Sequence, residues 1–103
     1  MQLDEYQKKA ISFAIYPKEH KVIYPTLGLT GEAGEVAEKV KKLLRDGTLN
    51  TSETAKELGD VLWYLANLSK DLGYSLEEVA RMNIEKLDHR KKRGKIKGSG
   101  DNR

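Results

Sequence analysis

Cysteine is absent from the 103-residue chain, which excludes disulfide scaffolds, thiolate zinc sites and catalysis by a thiol. Long hydrophobic runs are absent as well. None approaches the roughly 20 residues of a membrane span, and the opening MQLDEYQKK has no apolar segment of the signal-peptide kind. A cytoplasmic protein with no membrane partner is the expectation. Apolar residues make up only 38% of the chain, against 34% charged, and the mean hydropathy is -0.68. Such a chain suits a small helical domain with a thin core. A domain of this size is marginal unless its helices pack well or another subunit covers them.

Charge of one sign dominates only at the end of the chain. The net charge is +3 and the pI about 9.1, but the surplus sits in HRKKRGKIKGSGDNR, from His89 to Arg103. The remainder is roughly balanced, so basicity alone is weak evidence for nucleic acid, and nucleic acid is not the expected partner. Residues 1–93 read as a single domain and residues 94–103 as a flexible basic, Gly-rich tail. That tail is expected to be mobile from about Gly98, with Ile96 docking against a neighbouring helix.

Periodicity predicts four helices and no strand. The first spans about Leu3 to Ile15, with Leu3, Tyr6, Ala10, Phe13 and Ala14 on one face, and Pro17 stops it. Residues up to Pro25 read as a loop. The second helix runs from about Leu27 to Gly47, which suits a left-handed cap. The third follows Asn50 or Ser52 as N-cap and reaches Gly73. Ser75 with Glu78 makes a capping box for the fourth, which ends near Lys92. The fold class is all-α, a four-helix bundle-like domain around a central helical hairpin. In the third helix Leu58, Val61, Leu65, Leu68 and Leu72 form the inward stripe. Leu62, Trp63 and Ala66 fall on the other side at about 100° per residue. Two apolar sides need two covers, either self-association into a homo-oligomer or a wide core that takes in Trp63.

Two segments repeat one another. Glu32-Ala-Gly-Glu35-Val36 lies on the second helix and Glu57-Leu-Gly-Asp60-Val61 on the third. Acids three apart share a helix face. Measured from Val36 and Val61, the first acid of each pair lies about 40° from the apolar stripe and the second about 100° away. The first acids therefore sit at the margin of the core, and an antiparallel hairpin brings the two margins together. Converging carboxylates repel, and their removal from water costs several kcal/mol per ion unless a proton or a cation compensates. An all-oxygen donor set suits Mg²⁺, with Mn²⁺ possible, rather than zinc. Gly34 and Gly59 each cost about 1 kcal/mol relative to alanine in a helix; they suit a close backbone approach or space for a ligand. Glu38 falls opposite the stripe, as a supporting or surface acid. The blander reading makes all these acids surface partners of Lys39, Lys42, Lys56 or Arg45.

The strings GEAGEVAE and ELGDVLWYL, paired on a helical hairpin, resemble the MazG-type all-α nucleoside triphosphate pyrophosphohydrolases. They are especially similar to the short single-domain members, including the dCTP pyrophosphatase type, over most of the chain. The resemblance implies a homo-oligomer, dimer or tetramer, that binds Mg²⁺ and cleaves nucleoside or deoxynucleoside triphosphates to monophosphate and pyrophosphate. By position, Glu32, Glu35, Glu57 and Asp60 are the implied metal ligands. Gly31 stands where many members carry a further acid, a departure that bears on how many ions are held. On the fourth helix Asn83, Lys86 and Arg90 share a face, and the resemblance implies that Asn83 and Lys86 contact phosphate.

The leading expectation is thus an Mg²⁺-dependent hydrolase acting on the α–β phosphoanhydride, with a nucleotide substrate as partner. One acid orients or deprotonates the attacking water, and position in the motif selects Glu35 as that catalytic residue. Phe13, Tyr16, His20 and Tyr24 supply stacking surfaces for the base, whose identity stays open. Phosphoribosyl-ATP pyrophosphohydrolase is a related enzyme alternative. The alternative from another class is a non-enzymatic helical oligomer whose basic tail binds nucleic acid or an acidic partner.

Overall fold

A computed structural model describes residues 1–94 and 98–101. Its helices are α1 (Leu3–Ile11), α2 (Ile23–Asp46), α3 (Thr51–Asp71) and α4 (Leu76–Lys92), with a short 3₁₀ turn at Lys18–His20 between α1 and α2. No strand occurs among the described residues. The caps expected from the sequence are in place. Asn50 Oδ1 accepts from the Glu53 amide at 3.1 Å. Ser75 Oγ accepts from the Glu78 amide, and the Glu78 carboxylate accepts in return from the Ser75 amide. Gly47 closes α2 at φ 79, a left-handed position that favours glycine.

Two boundaries differ from the sequence reading. α1 stops at Ile11 rather than Ile15, and Phe13, expected on its inner face, is 69% exposed. α2 begins at Ile23 rather than Leu27, so Pro25 lies in its first turn. Proline is tolerated there because the amide it lacks has no helical partner anyway. The extra turn carries Tyr24 onto the helix.

α2 packs along α3 as the expected hairpin, α1 packs on α3 and α4, and α4 on α3. The fully enclosed apolar core is small: Ala10, Ala66 and Leu76, with Tyr6, Trp63 and Leu65 packed against it. This corrects the assignment of α3's faces. Ala66, expected on the outer side, is the most buried residue of the core, whereas Leu58 and Leu72 at the ends of the expected inward stripe are 55% and 56% exposed. The reason is α1. It packs on the Trp63/Ala66 side, where the Trp63 indole N–H donates to the Ala10 carbonyl at 3.1 Å. Within the chain, Trp63 belongs to the wide core.

A polar residue ties the core together. Gln7 is buried, and its Nε2 donates to the carbonyls of Ala66 and Tyr74, both at 3.1 Å. Its Oε1 accepts from the Leu76 amide at 3.0 Å. One amide side chain thereby bonds α1 to α3 and to the turn and first residue of α4, with every strong group satisfied. Among the described residues no helix is long and apolar enough to cross a membrane.

Candidate active site

The helical period lines up Tyr24, Gly28 and Glu32 along α2, each four residues on from the last, and Glu57, Asp60 and Tyr64 along α3. Packing of the hairpin joins these stripes into one seam. Carboxylate oxygens of Glu32, Glu57 and Asp60 all lie within 4.8 Å of one another. The first acid of each pair, Glu32 or Glu57, is half-buried, and the second, Glu35 or Asp60, is exposed, as the wheel arithmetic places them. Glu35 stands one turn beyond Glu32 and is not one of the converging trio. Its charge nonetheless bears on Glu32.

The seam is electrostatically unfavourable as it stands. Glu32 is held above the usual glutamate range, first by burial, then by the charge of Asp60, a hydrogen bond with Glu57, and the charges of Glu57 and Glu35. Two of the cations offered as surface partners turn elsewhere: Lys39 to Glu53 at 3.3 Å and Arg45 to Asp46 at 2.9 Å. Glu38 is a surface acid, paired with Lys41 at 2.8 Å. Three converging carboxylates form an oxygen-only donor set, which fits a hard divalent cation.

Gly28 is the glycine that packing demands. A Cβ there would overlap the Tyr64 ring, whereas a Cβ on Gly34 or Gly59 would meet nothing within 4 Å. Close backbone approach is therefore not the reason for Gly34 and Gly59; the space beside them is open.

A family model described as the MazG nucleotide pyrophosphohydrolase domain matches residues 21–94. The chain belongs to this family. It is also 47% identical over 114 residues to the Gene 37 protein of Mycobacterium phage L5, covering 100% of both chains. No solved structure matches. The matched span contains the whole α2–α3 seam and α4, and leaves α1 outside.

The remaining expected site residues of this MazG chain fall into two groups. On α4, Lys86 Nζ pairs with Asp101 at 3.1 Å. Arg90, only 4% exposed, donates Nη2 to the carbonyls of Gly100 and Asp101. Arg90 Nε is buried and has no partner among the described residues. These side chains line a cavity of about 320 Å³ with Met82, Glu85, His89, Arg93 and Asp101, and none of the four acids is in that lining. Asn83 and Lys86 also border a neighbouring space of about 440 Å³ beside Leu72, Tyr74 and Met82. The structure thus brings Lys86 and Arg90 together, but not onto the acids. Tail residues 98–101 are described where they meet α4, and Ile96 lies outside the described residues.

At the other end of the seam, Tyr16 stacks on Tyr24 with ring centres 5.0 Å apart and planes 19° from parallel. Tyr24 meets Tyr64 at 6.3 Å, and Tyr64 meets Trp63 edge-on at 5.0 Å. Phe13 and His20, expected beside them, are exposed and have no ring contact with this row. Tyr64 was missed by sequence reasoning. Its spacing of four from Asp60 was the available signal.

Proposed function

We propose that this chain is an Mg²⁺-dependent nucleotide pyrophosphohydrolase that cleaves nucleoside or deoxynucleoside triphosphates to monophosphate and pyrophosphate. The observation that carries the reading is the convergence of Glu32, Glu57 and Asp60, from both arms of the hairpin, within 4.8 Å. With Glu35 adjacent, they are the residues that would hold the metal, whose chemistry is to neutralise charge on the phosphate oxygens. Glu35 is exposed and free to take the proton of the water that attacks the α-phosphorus. The new bond joins that water oxygen to phosphorus, and the bond from phosphorus to the bridging oxygen breaks. Asn83, Lys86 and Arg90 stabilise the pyrophosphate that leaves, while Tyr16 and Tyr24 stack on the base.

The same reading includes self-association. The radius of gyration is 16.2 Å, against about 13 Å for a compact chain of this length. Leu27, Leu44, Met82 and Ile84 are all more than half exposed. A second copy covers these apolar faces and brings its α4 to the acids, none of which lines the cavity around Lys86 and Arg90.

The test is a panel of nucleoside and deoxynucleoside triphosphates, with phosphoribosyl-ATP included, incubated with Mg²⁺ and assayed for pyrophosphate against orthophosphate. Pyrophosphate release is expected. Metal-independent, salt-sensitive binding of nucleic acid without turnover would favour the tail-mediated alternative instead.

A further inference from the structure

A single carboxylate oxygen joins three segments at the end of the seam. Asp71 Oδ2 accepts from the Tyr16 hydroxyl and from the Val22 amide, each at 2.9 Å. Asp71 is the last residue of α3, Tyr16 belongs to the loop after α1, and Val22 is the N-cap of α2. These groups lie 55 and 49 residues from Asp71 in sequence, so the contact is purely tertiary.

Val22 is held in an unfavourable conformation. It has φ 67 and ψ −52, and the Ile23 amide donates to the Lys21 carbonyl at 2.7 Å. Together these define the γ-turn of positive φ, which is rare and strained, the more so for a β-branched residue. Among the described residues Val22 is the one non-glycine residue with positive φ. The N-cap of α2 has no side-chain cap bond of its own. The Asp71 carboxylate instead takes the amide of the N-cap residue itself, at the centre of the turn, and sets a negative charge at the positive end of α2.

From this clasp the aromatic row runs unbroken to the acids. Tyr16 stacks on Tyr24, Tyr24 leans on Tyr64, and Tyr64 closes over Gly28. Tyr24 is 46% exposed, so the row presents aromatic surface to solvent, and aromatic rings stack on bases of any identity. We propose that Asp71 is a positioning residue: it fixes the start of α2 and the Tyr16–Tyr24 stack, and thereby the wall against which a nucleotide base is held. The proposal rests on the pyrophosphohydrolase reading above. Without the clasp Tyr16 swings free and Val22 relaxes toward negative φ, which turns Tyr24. Glu32 lies two turns further along α2 and is held by packing on α3, so the acids stay in place.

Steady-state kinetics on the hydrolysed triphosphate decide it, with Asp71→Ala and Tyr16→Phe compared with the parent chain. Tyr16→Phe keeps the ring and loses only the hydroxyl, so it guards against Asp71→Ala failing to fold. The expected result is a KM raised about tenfold in Asp71→Ala, within the range one stacked base supplies. A rise of about threefold is expected in Tyr16→Phe, with kcat within twofold of the parent in both. In Asp71→Ala, which keeps every tyrosine, the near-ultraviolet circular dichroism of the tyrosines changes while helical content is retained. Unchanged KM with an unaltered tyrosine signal overturns the proposal, and so does a fall in kcat at constant KM. Should the parent chain hydrolyse no triphosphate, the pyrophosphohydrolase reading falls. The tyrosine signal of Asp71→Ala then settles whether Asp71 holds the wall.

Discussion

Glu32, Glu57 and Asp60 meet within one chain, whereas Lys86 and Arg90 stand together on α4 in a cavity that none of those acids lines. The two regions differ in how their positions are fixed. The acids belong to a hairpin of two long helices, each of which sets its own stripe by local periodicity. α4 is held by Leu76 and the Gln7 bonds near its start, while Ile84 is 65% exposed further along. One half of the proposed site is thus assembled by the hairpin, and the other waits on an apolar surface still open.

The sharpest way to break this comparison is at the acids. Glu57→Gln keeps the shape of the side chain and removes a charged donor from the trio. Turnover should fall about 100-fold or more, the scale of losing a group aimed at transition-state charge, with helical content unchanged by far-ultraviolet circular dichroism. Glu38→Gln, which removes only the exposed pair with Lys41, should stay within about twofold. Equal losses would erase the distinction between inner and outer acids.

The α4 half is tested next. Lys86→Ala should lower kcat/KM about tenfold or more, equivalent to about 1.4 kcal/mol in the barrier. The tail carboxylate that Lys86 meets is 82% exposed, and exposed pairs contribute little. Deleting residues 98–103 also frees Arg90 from the Gly100 and Asp101 carbonyls, which leaves its guanidinium available to phosphate, so hydrolysis should stay within about threefold. The opposite ranking in the same assay would place the phosphate contacts on the tail rather than on α4.

Proton linkage separates the halves by stability rather than rate. The folded-state pKa of Glu32 is raised, so the native state binds a proton more tightly than the unfolded chain there. The stability this supplies is complete below the ordinary value of 4.5 and is lost as pH rises through the higher folded value. Thermal melts of the metal-free protein should show Tm falling across that window. Millimolar Mg²⁺ should offset the fall, because an ion held by the folded carboxylates raises Tm. A flat profile with no response to Mg²⁺ would remove the argument that the trio holds a cation.

What the sequence revealed and what it hid divide along the same line. The acid pairs, the Asn50 and Ser75 caps and the Gly47 turn were legible because each depends on residues within a few positions. Gln7, Gly28, Asp71 and the choice between the two covers offered for Trp63 were not. Gln7 bonds to groups 59 to 69 positions away, and Trp63 reaches Ala10 across 53. A buried glutamine looks like any surface glutamine until its three partners are in place. α1 was expected to run on to Ile15 because Phe13 and Ala14 continue its apolar period. Three i→i+3 bonds, to Ser12, Phe13 and Ala14, instead turn the chain toward Pro17.

The smallest expected effect contrasts two glycines of one helix. At Gly28 an added methyl overlaps the Tyr64 ring, so Gly28→Ala must push that ring off α2. Such overpacking costs about 1–3 kcal/mol, and the displaced ring disturbs the wall beside Glu32. Gly34 sits six residues on, in the same helix, with nothing within 4 Å of the Cβ position. If structure alone governs Gly34, Gly34→Ala gains helix propensity and stabilises the protein by up to about 1 kcal/mol. If the open space beside Glu35 is where substrate enters, the same change raises Tm and lowers kcat/KM together. Melting and kinetics on this one variant therefore say whether that glycine, between the two acids of its motif, serves the fold or the site.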